Sequence, residues 1–222
     1  MPHFLAGFIA RHRVLSAFSL LYIAGFSVQS ILGGNTEFIF YAVVMVAAIV
    51  GILYMHTRVA FSTLVLWLLA IWGFLHMAGG NIPIPAAWAL DWASENPEGS
   101  RTVLYNLRPL AWAPKFDQFV HAFGFFTATL ASFEAIRAAA GPTVRVGFGI
   151  LMASLLCGMG LGAVNEVVEF AATRFMHTNV GGYENTGWDL VSNFTGCILA
   201  VILLAASRGR LEPPDTAAPR AA

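Results

Sequence analysis

Residues 38–55 decide the fold class of this chain, and they read FIFYAVVMVAAIVGILYM. The stretch contains 18 residues and no charged side chain. An α-helix needs about 20 mainly apolar residues to cross the ~30 Å hydrocarbon core of a bilayer. The residues do not alternate between polar and apolar, as the strands of a transmembrane β-barrel do. The stretch therefore predicts a transmembrane helix.

Five further stretches share this length and character. They are residues 14–32, 61–77, 116–138, 144–170 and 188–206. The whole chain agrees with them, because only 11% of its 222 residues are charged, against roughly 25% in soluble domains. We expect a polytopic, all-α transmembrane bundle of about six helices, which forms one domain over residues 1–207 and contacts the lipid bilayer. Residues 208–222 are rich in proline and alanine and predict a disordered tail.

The charged side chains indicate an orientation and exclude one class of partner. Twelve basic and twelve acidic residues give a formal net charge of zero, so no basic field attracts nucleic acid. Cytoplasmic loops of membrane proteins are enriched in lysine and arginine. Eight of the basic residues fall on the side of the N-terminus and four on the other, which predicts that both termini are cytoplasmic.

The long connection over residues 79–115 is expected on the outer surface. It contains five prolines, so it is not one continuous helix. It also contains three tryptophans, which favour the membrane–water interface. Two interpretations stay open, an interfacial anchor and a lid over a site. Arg101 or Arg108 in this connection is a candidate to meet an anionic head group.

Polar and ionisable residues gather at one level of four predicted helices. Counted at 1.5 Å per residue, they lie about 24–32 Å from the cytoplasmic arginine of the same helix. Such residues are costly inside a membrane and usually mark a functional site or a paired polar core. They are His76 on the third predicted helix, Asp117 and His121 on the fourth, Asn165, Glu166 and Glu169 on the fifth, and Asp189 and Asn193 on the sixth.

The spacing within each helix predicts common faces. Asp117 and His121 are four residues apart, and Glu166 and Glu169 are three apart, so each pair shares a helix face. Several carboxylates around one centre cannot all stay ionised without compensation. A bound cation supplies that compensation, and mixed imidazole and carboxylate ligands suit Zn²⁺, Mn²⁺ or Fe²⁺.

We therefore predict a metal site on these helices. Its predicted ligands are His76, Asp117, His121, Glu169 and Asp189. Glu166 is the predicted general base for a water molecule beside the ion, and Asn165 and Asn193 complete the cluster. The structural alternatives are helix capping by Asp117 or Asp189 and a hydrogen bond from His76 to a carbonyl of the following turn.

Four short motifs occur in an order that resembles a known family. They are LHMAGG at residues 75–80, FDQFVH at 116–121, NEVVEF at 165–170 and WDLVSN at 188–193. Over residues 60–205 the chain resembles the YjdF-like family of bacterial inner-membrane proteins and, more loosely, VanZ-like membrane proteins. The resemblance implies a multi-pass protein of the bacterial inner membrane with a shared polar cluster on the outer side. It implies no particular reaction.

Three functions remain open on the sequence. The leading hypothesis is a metal-assisted hydrolase or transferase that acts at the outer leaflet on a lipid-linked substrate. The second is a non-catalytic scaffold or immunity-type protein, in which the cluster only locks the helices together. The third is a proton-coupled transporter, which the sequence disfavours because the polar residues do not continue to the cytoplasmic side and no inverted repeat is visible.

Overall fold

Seven α-helices make up most of the chain in the computed structural model, which describes residues 2–89, 102–141, 145–176, 178 and 182–207. In chain order they are α1 (Pro2–Arg11), α2 (Arg13–Leu32), α3 (Thr36–Val59), α4 (Thr63–Asn81), α5 (Phe116–Ala140), α6 (Phe148–Thr173) and α7 (Tyr183–Ala206). The predicted tail at 208–222 and Arg101 lie outside the described residues.

Six of the described helices, α2 to α7, are long and apolar enough to cross a membrane. They correspond one to one to the six predicted stretches, so the predicted all-α bundle is confirmed. The largest difference lies at α7, which begins at Tyr183 rather than at residue 188. Asp189 and Asn193 weaken the apolar character of its first turns, but both are 0% exposed. They face the neighbouring helices and never meet lipid, so the helix continues through them.

The first helix, α1, is an additional element that the hydropathy of the chain does not predict. Its Phe8 packs against the rings of His12 and His56, with centroid distances of 4.8 and 5.4 Å. Polarity alone would place His56 in a solvated loop, but this residue lies in the last turn of α3 and is 5% exposed. The aromatic rings of α1 and the ring of Phe61 cover it.

Helix α5 is the element around which the others pack. It contacts α3, α4, α6 and α7, and its membrane-length stretch is the most buried of the six. It meets α7 where Gly196 faces the carbonyl oxygen of Ala122 and leaves no space for a Cβ atom. Gly162 of α6 lies against Asn193 of α7 in the same way. Small residues let these three helices approach closely, and the closeness brings their polar side chains into contact.

Buried polar contacts fix both ends of α4. At its C-terminal end, the Ser30 hydroxyl of α2 donates a hydrogen bond of 2.7 Å to Asn81 Oδ1. At its N-terminal end, the carboxylate of Glu134 on α5 accepts from the Ser62 backbone N–H at 2.9 Å and from the Ser62 hydroxyl at 2.6 Å. These contacts set the height of α4, and so of its His76, relative to α5.

The connection between α4 and α5 is irregular in its described parts, as its prolines predict. It contains two short 3₁₀ turns, Ala86–Trp88 and Leu104–Asn106, and its two sides are joined by a single β-bridge. Tyr105 in the second turn packs directly on Gly79, where a Cβ atom would overlap the tyrosine ring. The second turn therefore covers the end of α4 next to the polar cluster.

Candidate metal centre

His121 on α5 is the hub of the polar cluster. Asp117 precedes it by one helical turn, and Asp117 Oδ1 lies 3.7 Å from His121 Nε2. Both side chains are buried, with exposed fractions of 5% for Asp117 and 6% for His121. The spacing of four residues places the acid and the imidazole on the face of α5 that meets α6 and α7.

Two glutamates of α6 approach opposite nitrogens of the same imidazole. Glu169 Oε1 lies 3.6 Å from His121 Nε2, and Glu166 Oε1 lies 3.5 Å from His121 Nδ1. Asn165 donates from Nδ2 to Glu169 Oε1 over 2.6 Å. This bond holds the carboxylate of Glu169 in one orientation beside the imidazole.

Helix α7 contributes Asp189 and Asn193, and both are fully buried. Asn193 Oδ1 lies 3.0 Å from His121 Nδ1, and Asn193 Nδ2 lies 3.5 Å from Glu166 Oε1. One turn before Asp189, Asn185 donates from Nδ2 to Asp189 Oδ2 over 2.5 Å. The polar stripes of α5, α6 and α7 thus meet at one point inside the bundle.

The donor atoms are close enough together to surround one ion. Single ligand atoms of His121, Glu166, Glu169 and Asp189 all lie within 4.8 Å of one another. Ligand atoms about 2.1 Å from a tetrahedral Zn²⁺ are about 3.4 Å apart, and opposite ligands of an octahedral ion at that distance are about 4.2 Å apart. The spread of up to 4.8 Å is slightly wider than either value, so the group could hold a single divalent cation if the ligand atoms move closer together, while Asp117 is not one of the four residues.

The contact with Asn193 selects the tautomer of His121. The amide nitrogen of Asn193 points toward Glu166, so its oxygen faces His121 Nδ1 and accepts the proton of that nitrogen. When the imidazole is neutral, Nε2 is then unprotonated and its lone pair lies on the side of Asp117 and Glu169. Metal-binding histidines regularly donate their other N–H in this way, so the arrangement prepares Nε2 to bind a cation.

Two buried carboxylate oxygens of the cluster have no hydrogen-bond partner among the described residues. They are Glu166 Oε2 and Asp189 Oδ1. A buried polar atom without a partner costs roughly 1–3 kcal/mol, and more when it is charged. A cation between the two acids would satisfy both oxygens.

Negative charge outweighs positive charge at the cluster. Four carboxylates surround one imidazole. Lys115 interacts electrostatically with Asp117 and Asp189 and offsets part of their charge. If all four acids are ionised and the imidazole is neutral, three negative charges remain after this lysine is counted. Burying that much charge is strongly unfavourable, so the cluster needs a cation or bound protons.

His76 lies in an aromatic pocket beside the group of four donors and is not one of them. Its Nδ1 is hydrogen-bonded to the Tyr105 hydroxyl at 2.6 Å. The rings of Phe38, Tyr41 and Trp72 lie 5.8, 5.3 and 6.2 Å from its centroid. Burial raises the pKa of the Tyr105 hydroxyl well above its usual value of 10.0. Tyr105 therefore stays protonated and donates a hydrogen bond to His76 Nδ1.

Asn185, Tyr105 and Lys115 belong to the site, although sequence reasoning does not find them. Asn185 precedes the predicted start of its helix, so its spacing of four from Asp189 carries no signal until α7 is extended to Tyr183. Tyr105 and Lys115 come from the irregular connection, where no periodicity predicts which side chains turn inward. A run of Asn or Asp at every fourth position of α7 is the signal that would have revealed Asn185.

Similarity to other proteins supports the membrane assignment. A family model described as "Predicted membrane protein (DUF2238)" matches residues 14–210, a range that contains every residue of the cluster. No curated protein and no solved structure matches the chain. The chain therefore belongs to the DUF2238 family of predicted membrane proteins.

Proposed function

We propose that this protein is a divalent-metal-dependent hydrolase or transferase of the bacterial inner membrane. One observation carries the proposal: donor atoms from α5, α6 and α7 converge within 4.8 Å inside a bundle of apolar, membrane-length helices. Ionisable groups in membrane helices are costly and are usually functional. A purely structural lock would be satisfied by fewer acids, and it would not leave two carboxylate oxygens without a partner.

The ligands of the ion are His121 through Nε2, together with Glu169 and Asp189. Asp117 lies 3.7 Å from the same nitrogen and is a further candidate ligand. Mixed imidazole and carboxylate ligands favour Zn²⁺, Mn²⁺ or Fe²⁺. When bound, such an ion polarises a substrate oxygen or activates water.

Glu166 is the proposed general base. Its Oε1 faces Asn193 and the Nδ1 side of His121, while its Oε2 is not engaged by any hydrogen bond within the described chain. A base needs an available oxygen within hydrogen-bond reach of the water it deprotonates. Glu166 has such an oxygen in Oε2, while Glu169 is held by Asn165 and Asp189 is assigned as a ligand.

The proposed substrate is lipid-linked and is reached from the outer leaflet. The centre lies near one end of the bundle, beside the start of α5 and the end of α4, and the connection with Trp112 and Tyr105 lies over that end. With both termini in the cytoplasm, this end faces outward. The resemblance to YjdF-like proteins, which we take to be relatives of this chain, also implies a polar cluster on the outer side.

Elemental analysis of the purified protein tests the metal. The double variant His121→Ala/Glu166→Ala removes the central ligand and the proposed base, and Glu184→Gln, an exposed acid in the first turn of α7, is the matched control. We expect a transition metal near one per chain in the wild type and in Glu184→Gln, and its loss in the double variant. The absence of metal from a folded wild type, even after incubation with Zn²⁺, Mn²⁺ and Fe²⁺, would contradict the proposal and favour a structural or proton-carrying cluster.

Turnover of a lipid-linked substrate in proteoliposomes tests the catalytic part. We expect head-group release or transfer that requires the metal. Glu166→Gln should abolish it while retaining most of the bound metal, because the general base is lost and the ligands remain. A Glu166→Gln protein with full activity would show that another group activates the nucleophile.

A further inference from the structure

The hydroxyl of Tyr41 on α3 is buried and has no hydrogen-bond partner among the described residues. Tyr41 is 4% exposed, and its hydroxyl oxygen is shielded from solvent. Leaving a buried hydroxyl unpaired is costly, and phenylalanine would fill the same space without that cost. A group of this kind needs an explanation, and a ligand from outside the chain is one.

This hydroxyl lies beside the metal centre. The ionisable group of a tyrosine is its hydroxyl, so the electrostatic interactions of the residue locate that atom. Tyr41 interacts with Glu169, Asp117 and Glu166 of the centre, and most strongly with Glu169. None of these acids hydrogen-bonds to it. The hydroxyl is therefore near the carboxylates without contacting them, and an atom of a ligand can lie between.

His76 on α4 is a second hydrogen-bond donor next to Tyr41. The centroids of the two rings are 5.3 Å apart. Because His76 Nδ1 accepts from the Tyr105 hydroxyl, the neutral imidazole carries its proton on Nε2. No acceptor for that N–H is found in the described part of the chain, and part of the side chain stays accessible. His76 also interacts electrostatically with His121, the hub of the centre.

The unpaired groups at the centre are thus of two kinds. The carboxylate oxygens of Glu166 and Asp189 fit a cation, whereas the O–H of Tyr41 and the N–H of His76 fit an anionic oxygen. A reacting carbonyl group develops one oxyanion, which a cation alone can stabilise. A phosphoryl group spreads its charge over several oxygens, so one oxygen can meet the cation while another meets the two donors.

We propose that Tyr41 and His76 bind an oxygen of a phosphoryl group beside the metal centre. Tyr41 donates through its hydroxyl and His76 through Nε2, and these two groups are the donor pair. The substrate is then a phosphate compound, whose phosphate belongs to a lipid head group or to a small soluble molecule. This inference rests on the proposed function, because the cation holds the other oxygen.

Isothermal titration calorimetry of the detergent-purified protein loaded with Mn²⁺ tests the donor pair. One arm titrates inorganic phosphate and the other titrates dihexanoyl phosphatidic acid, so tighter binding of one probe identifies the source of the phosphate. Elemental analysis of the same samples reports the bound metal separately. We expect the wild type to hold near one Mn²⁺ per chain and to bind at least one probe.

Tyr41→Phe removes only the unpaired hydroxyl. We expect phosphate binding to weaken by about 10–100-fold, the effect of losing a hydrogen bond to a charged group. The metal should be retained, and the melting temperature should not fall, whereas a purely structural hydroxyl would lower it on removal. Tyr22→Phe is the matched control, because Tyr22 is also buried but has no electrostatic interaction with the described acids. Its phosphate binding should equal that of the wild type.

His76→Phe tests the second donor without changing Tyr41 and should weaken phosphate binding by a similar factor. Wild-type affinity of Tyr41→Phe for both probes would overturn the inference, and so would a wild type that binds neither. Metal in those samples would still support the proposed function. Phosphate binding that depends on Tyr41 in a protein without metal would support the donor pair and contradict the metal centre.

Discussion

His121 Nδ1 and Asn193 Oδ1 lie 3.0 Å apart across the contact between α5 and α7. The Asn193 oxygen favours a proton on Nδ1 of the central histidine, where Glu166 Oε1 also lies 3.5 Å away. The contact also ties the orientation of a ligand on one helix to a neutral side chain on another.

Replacing Asn193 with leucine should weaken metal binding by about 10–100-fold, the usual effect of losing the partner of a metal-binding histidine. Leucine is close to asparagine in size but cannot accept the Nδ1 proton. Asn193→Asp keeps an oxygen at this position and should keep the binding. A competition titration against a chelator of known affinity measures both variants. Equal affinities for the wild type and Asn193→Leu would show that this contact does not prepare the ligand.

Removing the cation should destabilise the wild type. At a free-ion concentration about 100 times its dissociation constant, a bound ion adds about 2.7 kcal/mol of stability, or roughly 5–10 °C in the melting temperature of a protein of this size. EDTA should therefore lower the melting temperature of the wild type and of Glu184→Gln. In Glu169→Gln the chelator should have no effect, because a ligand is already missing. A wild type that melts identically with and without chelator would contradict the metal centre.

Gly196→Ala should separate α5 from α7, because a Cβ atom there would overlap the carbonyl oxygen of Ala122. We expect a loss of roughly 1–3 kcal/mol of stability, typical of overpacking, together with weaker metal binding. Gly187→Ala in the same helix is the control, since nothing lies within 4 Å of the added atom. That change should be neutral or stabilising by up to about 1 kcal/mol, because alanine favours helix. A Gly196→Ala protein as stable as Gly187→Ala would argue against close packing at this point.

Tyr105→Phe should change both the stability and its dependence on pH. At neutral pH the loss of the hydroxyl leaves His76 Nδ1 without this donor, at a cost of about 1–3 kcal/mol. The pKa of Tyr105 is raised in the folded protein, so its contribution to stability is complete below pH 10 and is lost as the pH rises above that value. The stability of the wild type should therefore fall more steeply than that of Tyr105→Phe above pH 10, as followed by denaturant unfolding. Parallel pH profiles would show that Tyr105 ionises equally in both states.

Most of the fold is visible in the sequence, because a membrane imposes one rule on every spanning segment. Each helix satisfies its own backbone and needs an apolar stretch of the right length, and all six stretches have it. The rule fails for residues that protein shields from lipid and for helices that do not span the membrane. The first turns of α7 carry buried polar side chains at Asn185, Asp189 and Asn193, and α1 is too short to span. Hydropathy measures polarity and length, and it does not record which side chains are shielded by protein.

The candidate site is less predictable than the fold. Spacing places Asp117 with His121, and Glu166 with Glu169, because those relations lie within one helix. How each helix is rotated about its axis depends on packing between helices, which the sequence does not display. His76 shows the consequence, because it has the expected height on α4 but meets Tyr105 and aromatic rings instead of the carboxylates. Tyr105 itself comes from a connection without periodicity.

The contribution of α7 to the cluster has a consequence for biosynthesis. Asp189 and Asn193 belong to α7, the last helix of the described residues, so the cluster is incomplete until α7 has left the ribosome and inserted. Before then, α5 and α6 hold acids in the bilayer without the asparagine that orients His121. A chain that stops before Tyr183 would expose those acids and be an unstable product. Insertion of α7 thus completes the cluster, and the proposed metal could be loaded only after it.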